Sequence, residues 1–174
     1  MMEALERYLN SFGKSVVNKA KGILKKKKKV VSGNLLNSIK FRITKDKDNL
    51  SVEFLMADYG TFVDKGVTGT QRKRTYVDYK GQRVNSPYSF GKTRDGGLTR
   101  GLDKWIVRKG IAPRDAQGRF ISRKSLKFLI ARKIYTKGIE GISFFQKPLQ
   151  LELRGFYDKV GKAVKQDIEN IITV

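Results

Sequence analysis

Cysteine and histidine are both missing from this chain of 174 residues, and acidic residues are scarce, at 16 against 38 Lys and Arg. Without cysteine the chain can form no disulfide, zinc–thiolate site or thiol nucleophile. General acid–base catalysis near neutral pH usually uses histidine, so few residue types remain for an enzyme. We therefore expect no enzymatic activity, no cofactor and no bound metal.

Long apolar runs are missing as well. No segment approaches the ~20 consecutive apolar residues that a membrane-spanning helix needs, and the sequence starts without a basic-then-apolar signal pattern. The hydrophobic share of 39% is nevertheless enough to fill a core, and the length suits one domain. We expect a soluble, single-domain protein over residues 1–174 that contacts no membrane.

Positive charge is what the chain has in excess, and most of it lies in the middle. The formal net charge is +22; residues 60–137 carry 20 basic and 5 acidic groups, whereas residues 138–174 carry 5 of each. Self-repulsion on this scale destabilises an isolated compact monomer and favours contact with polyanions or acidic protein surfaces. An anionic partner is therefore expected.

Hydrophobic spacing predicts long helices at both ends. From Leu5 onwards apolar residues recur every three or four positions, which predicts a helix over about 2–28. Pro148 suits the first turn of a helix, and apolar spacing continues from there to Ile171. This pattern predicts one long C-terminal helix.

Shorter elements are predicted between these two helices. Apolar and polar residues alternate over 39–43 and 50–56, which predicts an antiparallel hairpin of two half-buried strands. A small second hairpin is expected around residues 80–81, a short helix over about 98–110, and a helix over about 122–137 that starts after Ser122 and ends at Gly138. Residues 66–120 are rich in glycine, basic and aromatic residues and predict a basic excursion from the domain. The predicted fold class is α+β: a small antiparallel sheet packed against long N- and C-terminal helices, with a basic loop or hairpin insertion.

Three groups of basic residues are candidates to contact DNA or an acidic partner, because ammonium and guanidinium groups bind phosphates. Solvated surface charge is the alternative for each group. The candidates are Lys25, Lys26, Lys27, Lys28 and Lys29 in one run, Arg72, Lys73 and Arg74 in a second, and Arg123, Lys124 and Lys127 on the helix over 122–137.

Aromatic residues are candidates for a subunit interface, where large amphipathic rings are enriched. Trp105 in particular lies on a short helix with little local core to bury it. Phe144 and Phe145 suit either the core or a subunit contact. The full set is Tyr59, Phe62, Tyr76, Tyr79, Trp105, Phe144 and Phe145.

Three stretches, taken in order, resemble the phage head–tail joining, or tail-completion, family of siphophage type. They are L-L-N-S-I at 35–39, A-D-Y-G-T-F-V-D-K-G at 57–66 and I-Y-T-K-G-I-E-G-I-S-F-F-Q-K-P-L at 134–149. Asp64 stands where the family usually has Glu, and Lys65 and Gly66 replace a usual Gly-Thr pair, so the chain resembles a distant member.

The resemblance implies a non-catalytic α+β subunit of a homo-oligomeric ring in the virion neck, made in the host cytoplasm. Such a ring lies between the portal or connector and the tail proteins, and double-stranded viral DNA contacts it transiently as it passes. Tight binding of DNA by a cationic lumen would oppose ejection. We therefore expect most of the basic middle segment at protein interfaces and a smaller set of cations on DNA.

Two other functional hypotheses remain open. The charge also suits a free nucleic-acid-binding protein of ribosomal or chromatin-like type. Asp58, Asp64 and Asp78 are close in sequence, and a metal-dependent nuclease uses carboxylates to bind Mg²⁺.

Overall fold

The computed structural model describes residues 3–46, 49–90, 97–115 and 117–173, without the side chains of 97–100. Within those residues it confirms the predicted α+β class. The elements are α1 (Glu3–Lys26), α2 (Asn34–Ser38), β1 (Lys40–Lys45), β2 (Leu50–Leu55), α3 (Gly60–Lys65), β3 (Thr75–Val77), β4 (Arg83–Asn85), α4 (Gly97–Arg108), α5 (Arg123–Lys137), α6 (Gln146–Leu153) and α7 (Phe156–Ile172).

The chain divides into two compact units. The first unit comprises Met1–Gly60, Val77–Arg83 and Ser143–Val174, and the second comprises Thr61–Tyr76 and Val84–Ile142. The second unit is therefore larger than the predicted excursion over 66–120, because it begins earlier and includes α5. No helix in the described part of the chain is long and apolar enough to cross a membrane.

The apolar stripe of α1 forms the centre of the first unit. α1 packs against α6, α7 and the hairpin of β1 and β2. Phe12 makes ring contacts with Phe54 of β2 and with Phe156 of α7, with centroids 6.2 and 4.9 Å apart. Burying each such side chain stabilises the fold by about 2 kcal/mol. The buried stripe comprises Leu5, Leu9, Phe12, Val16, Ala20 and Leu24, as its spacing predicts.

The predicted hairpin of β1 and β2 is confirmed as an antiparallel pair that places Phe41 opposite Phe54. Gly13 on α1 is required where the helix crosses this sheet, because a Cβ there would lie 2.3 Å from the Phe41 ring. The second predicted hairpin, of β3 and β4, is also confirmed. Its turn is fixed by Asp78, whose Oδ1 accepts hydrogen bonds from the backbone N–H groups of Lys80 and Gln82.

The predicted single C-terminal helix is wrong. The chain forms α6 and α7 instead, and Gly155 separates them with a φ of +68°. Only glycine adopts that conformation without a steric penalty. The apolar spacing continues across the break, so periodicity alone does not reveal it.

Asp167 of α7 connects the two ends of the chain. Its carboxylate is buried and accepts hydrogen bonds from the backbone N–H groups of Ala4 and Leu5, at 2.8 and 3.0 Å. These are two of the N–H groups that the first turn of α1 leaves without a helical acceptor. Burial raises the pKa of the Asp167 carboxyl, but the two backbone hydrogen bonds together with nearby positive charge, including that of Arg7, lower it by more, and the net pKa is lowered.

Helix ends in the second unit follow the predicted signals. The Ser122 Oγ accepts from the Ser125 N–H at the start of α5, and Gly138 closes the helix with a φ of +72°. The predicted short helix is α4, which packs against α5 and ends at Arg108, just before Gly110 with its φ of +62°. The short helices α2 and α3 were not predicted.

Candidate nucleic-acid interface

Two backbone segments of the second unit cross at glycine residues. Val67 and Ile139 exchange a pair of hydrogen bonds of 2.9 and 2.8 Å. A Cβ on Gly66 would lie 2.6 Å from the Gly141 nitrogen, and one on Gly138 would lie 2.2 Å from the Val67 oxygen. Because the opposing atoms are backbone, no side-chain rotation can make room, and the crossing requires glycine.

This crossing positions the segment with Arg72, Lys73 and Arg74 at the C-terminal end of α5. The N–H groups of Thr70 and Gln71 donate to the carbonyls of Tyr135 and Thr136 at 3.0 Å. The Arg74 Nε donates to the Lys137 carbonyl at 2.8 Å. These three bonds satisfy carbonyls that the last turn of a helix leaves open.

A cluster of six cations results, which we call the cationic patch. It joins residues that are some 60 positions apart in sequence, because the Arg74 Nε donates to the Lys137 carbonyl. The electronegative helix end favours some of this charge, but no ion pair of the described residues involves the patch. The patch comprises Arg72, Lys73 and Arg74 with Arg132, Lys133 and Lys137 of α5; all except Arg74 are exposed.

The other predicted cations of α5 lie apart from the patch, in its first turns. Arg123 and Lys124 are exposed. Lys127 differs, because its Nζ lies 3.4 Å from Asp103 Oδ1 of α4 and only 27% of its side chain is exposed. Lys127 thus forms an ion pair within its own unit, and its contact with a partner stays a prediction.

The five lysines 25–29 form the tight turn that ends α1, and all five are exposed. The Lys29 N–H donates to the Leu24 carbonyl and the Lys28 N–H donates to the Lys25 carbonyl, both at 3.0 Å. This pair of bonds is the Schellman motif, which places its penultimate residue in the left-handed region. Lys28 occupies that position, with a φ of +52°.

The aromatic candidates divide between surface and core. Tyr59, Phe62 and Tyr79 are exposed, whereas Tyr76 and Trp105 are half-buried. Phe144 is 0% exposed and Phe145 is also buried. Their prediction as interface residues is corrected, because these two rings belong to the core of the chain itself.

Several exposed apolar residues were missed. Three adjacent apolar residues, Phe128, Leu129 and Ile130, cannot all face one side of α5, a signal that points to an uncovered face. In α7 the exposed apolar residues continue the three-and-four spacing of the buried ones, so the spacing does not distinguish the two sets. The missed residues are Phe120, Phe128 and Leu129 in the second unit and Tyr157, Ile168, Ile171 and Ile172 in the first.

The three carboxylates proposed for a metal-dependent nuclease have different structural roles or surroundings. Asp78 caps its own turn, Asp64 is buried and Asp58 is exposed. Over the described ranges, no three Asp or Glu residues come together in a way that could hold a metal ion.

Comparison with known proteins yields no relative: no family model, no curated protein and no solved structure matches the chain.

Proposed function

We propose that the chain is a structural subunit of the neck of a tailed phage. In this proposal, copies of the chain form a ring between the portal or connector and the tail, which seals the junction and lets DNA pass. No bond is made or broken. The observation that carries the proposal is the glycine crossing, because it joins the second and third of the three resembling stretches.

The crossing gives those two stretches a physical reason to occur together. They are separated by about 70 residues, yet Gly66 of one and Gly138 and Gly141 of the other meet backbone to backbone. The two resembling stretches therefore form one local structure in this chain, which supports treating them as parts of one pattern. Gly66 itself stands where the family usually has Thr.

The distribution of charge supports an assembled setting. The cationic patch and the turn formed by Lys25 to Lys29 present positive charge, and none of the ion pairs between described residues involves them. Such a surface is most useful against an anionic neighbour. A neck supplies two kinds: acidic faces of the adjoining rings, and the DNA that passes through them.

Exposed apolar groups support assembly as well. Phe120 and Phe128 are 68% and 61% exposed in the second unit. Phe62, also in this unit, packs edge-on against Tyr88, with centroids 4.6 Å apart, and remains exposed. Large exposed apolar groups mark contact sites when they are grouped, and ring closure covers such groups.

A conditional knockout in the phage that encodes this chain tests the proposal. Without the chain we expect DNA-filled heads and complete tails that stay separate in electron micrographs, and joining restored by supplying the purified chain. Infectious, fully joined particles made without the chain would contradict the proposal.

A charge variant with a matched control refines this test. Arg72→Ala with Lys73→Ala removes two patch cations, whereas Lys159→Ala with Lys162→Ala removes two exposed cations of α7. We expect the first pair to lower joining by about tenfold, equivalent to about 1.4 kcal/mol. The second pair should leave joining unchanged. Equal effects of both pairs would mean that net charge alone matters.

The free nucleic-acid-binding protein remains the second candidate, because the cationic patch suits phosphate contacts equally well. Mass spectrometry of purified particles separates the two. A free factor stays in the lysate, whereas a neck subunit co-purifies with the particles through high-salt washes.

A further inference from the structure

The end of α1 carries a residue that its backbone conformation disfavours. In a Schellman motif the left-handed residue is usually glycine, because a Cβ clashes with the neighbouring carbonyl oxygen in that conformation. Here Lys28 holds the position, at a φ of +52°. A non-glycine residue in this region is strained, and strained residues of this kind are found most often at functional sites.

The end of α4 shows the same motif built with glycine. The Ile111 N–H donates to the Ile106 carbonyl and the Gly110 N–H donates to the Val107 carbonyl. Gly110 has a φ of +62°, close to that of Lys28. The same turn thus forms twice in this protein, once with the favoured residue and once with a lysine inside a run of five.

We propose that the lysine turn, Lys25 to Lys29, binds the phosphate backbone of double-stranded DNA, and that lysine at position 28 contributes charge to this contact at the expense of stability. This inference rests on the proposed function and identifies which cations touch the DNA that passes the neck. The two backbone hydrogen bonds of the motif fold the run into one compact turn. The five ammonium groups are therefore grouped at one end of α1.

Residue type favours DNA over an acidic protein. Protein interfaces are depleted in lysine and depend on aromatic, apolar and arginine anchors, and the run has none of these. An ammonium is a point charge that needs only proximity to a phosphate and no fixed fork of donors. Such contacts carry no sequence preference and tolerate movement of the DNA along its axis.

The size of the turn limits how tightly it binds. Each phosphate contact adds about 0.9 to the slope of log affinity against log salt, so five contacts give a slope no steeper than about −4.5. Binding of this strength is weak and sensitive to salt near physiological ionic strength. It guides DNA without holding it, which suits a passage through which DNA must leave quickly.

The test measures binding of the full chain to a 30-base-pair duplex over a series of salt concentrations, together with the Tm. Lys28→Gly removes one charge and the strain; Lys28→Ala removes the same charge and keeps the left-handed penalty. We expect both variants to reduce the slope by about 0.9. Lys28→Gly alone should raise the Tm, by about 2–4 °C. The triple variant Lys27→Ala, Lys28→Ala, Lys29→Ala should reduce the slope by about 2.7.

Lys14→Ala is the matched control, because Lys14 is an exposed lysine of the same helix about 20 Å from the turn. It should leave the slope unchanged. A Lys28→Gly protein with a higher Tm and an unchanged slope would show that lysine at 28 has no role in DNA binding, and would overturn the inference. So would poly-L-glutamate that competes as well as duplex at equal charge. Neither outcome affects the neck proposal, which depends on the knockout.

Discussion

Gly138→Ala is the sharpest test of the backbone crossing in the second unit. The added methyl group would lie 2.2 Å from the Val67 oxygen and 2.6 Å from the Gly69 nitrogen. Gly138 also has a φ of +72°, which alanine adopts with difficulty. Both effects act in the same direction, so this substitution of one methyl group should be strongly destabilising.

The size of the effect follows from three contributions. With a ψ of −175° beside its positive φ, Gly138 lies in a region essentially restricted to glycine, which costs an alanine roughly 1–3 kcal/mol. Forcing a methyl group into packed surroundings costs roughly 1–3 kcal/mol. If the backbone separates to relieve the clash, the two hydrogen bonds between Val67 and Ile139 are lost, at about 1 kcal/mol each. If the backbone separates, the loss of these hydrogen bonds takes the place of part of the steric cost, so the three contributions do not add in full. We expect the free energy of unfolding to fall by about 4 kcal/mol, or the Tm to fall by about 8–16 °C.

Thermal unfolding and amide hydrogen exchange measure the two consequences. The Tm should fall in the transition of the second unit, and the amides of Val67 and Ile139 should lose protection. Gly161→Ala is the control, because Gly161 lies within α7 and nothing lies within 4 Å of its added Cβ. That variant should gain about 1 kcal/mol, since alanine has the higher helix propensity.

The result that would refute this reasoning is a Gly138→Ala protein with an unchanged Tm and protected amides at 67 and 139. It would mean that the two segments do not approach as closely as described, and the main support for treating the two resembling stretches as one structure would be removed.

Further predictions concern the first unit. Phe144→Ala should lose about 3–5 kcal/mol in denaturant unfolding because its side chain is fully buried. Tyr157→Ala, at a residue that is 86% exposed, should change stability by less than about 0.5 kcal/mol. Comparable losses would contradict the burial of Phe144 and the exposure of Tyr157. Asp167→Asn tests the carboxylate that caps α1: the folded pKa of Asp167 lies below its unfolded value, so its stabilisation is present above the unfolded pKa and lost as pH falls through the folded pKa. The variant should therefore have a lower Tm at pH 7 and a smaller fall in Tm between about pH 5 and pH 2 than the parent, and parallel pH curves would argue against the charged cap.

Much of the first unit is predictable from sequence because its signals are local. The three-and-four spacing of α1 and the alternation in β1 and β2 repeat often enough to define each element. In α5 of the second unit, the capping residues Ser122 and Gly138 likewise mark both ends correctly. In these cases the residues that specify the element lie within it or next to it.

The remainder depends on contacts between distant residues. Asp167 caps a helix that begins 163 positions away, and no local pattern indicates that partner. The glycine crossing likewise joins segments some 70 residues apart. The break at Gly155 is hidden because the apolar spacing of α6 continues in phase into α7.

The candidate surfaces are likewise predictable from sequence only in part. The basic runs are evident in the sequence, but the position of Arg74 against the end of α5 and the left-handed conformation of Lys28 are not. The ion pair of Lys127 with Asp103 is not evident either, because the sequence does not show that α4 packs against α5. Phe144 and Phe145 were assigned to an interface because aromatic residues suit both interfaces and cores.

Cryo-electron microscopy of the neck in purified particles tests the central claim most directly. The account predicts a ring between the portal and the tail whose density fits the two units of this chain, with the cationic patch against a neighbouring protein. A neck resolved to side chains, with every ring built from other proteins, would contradict it.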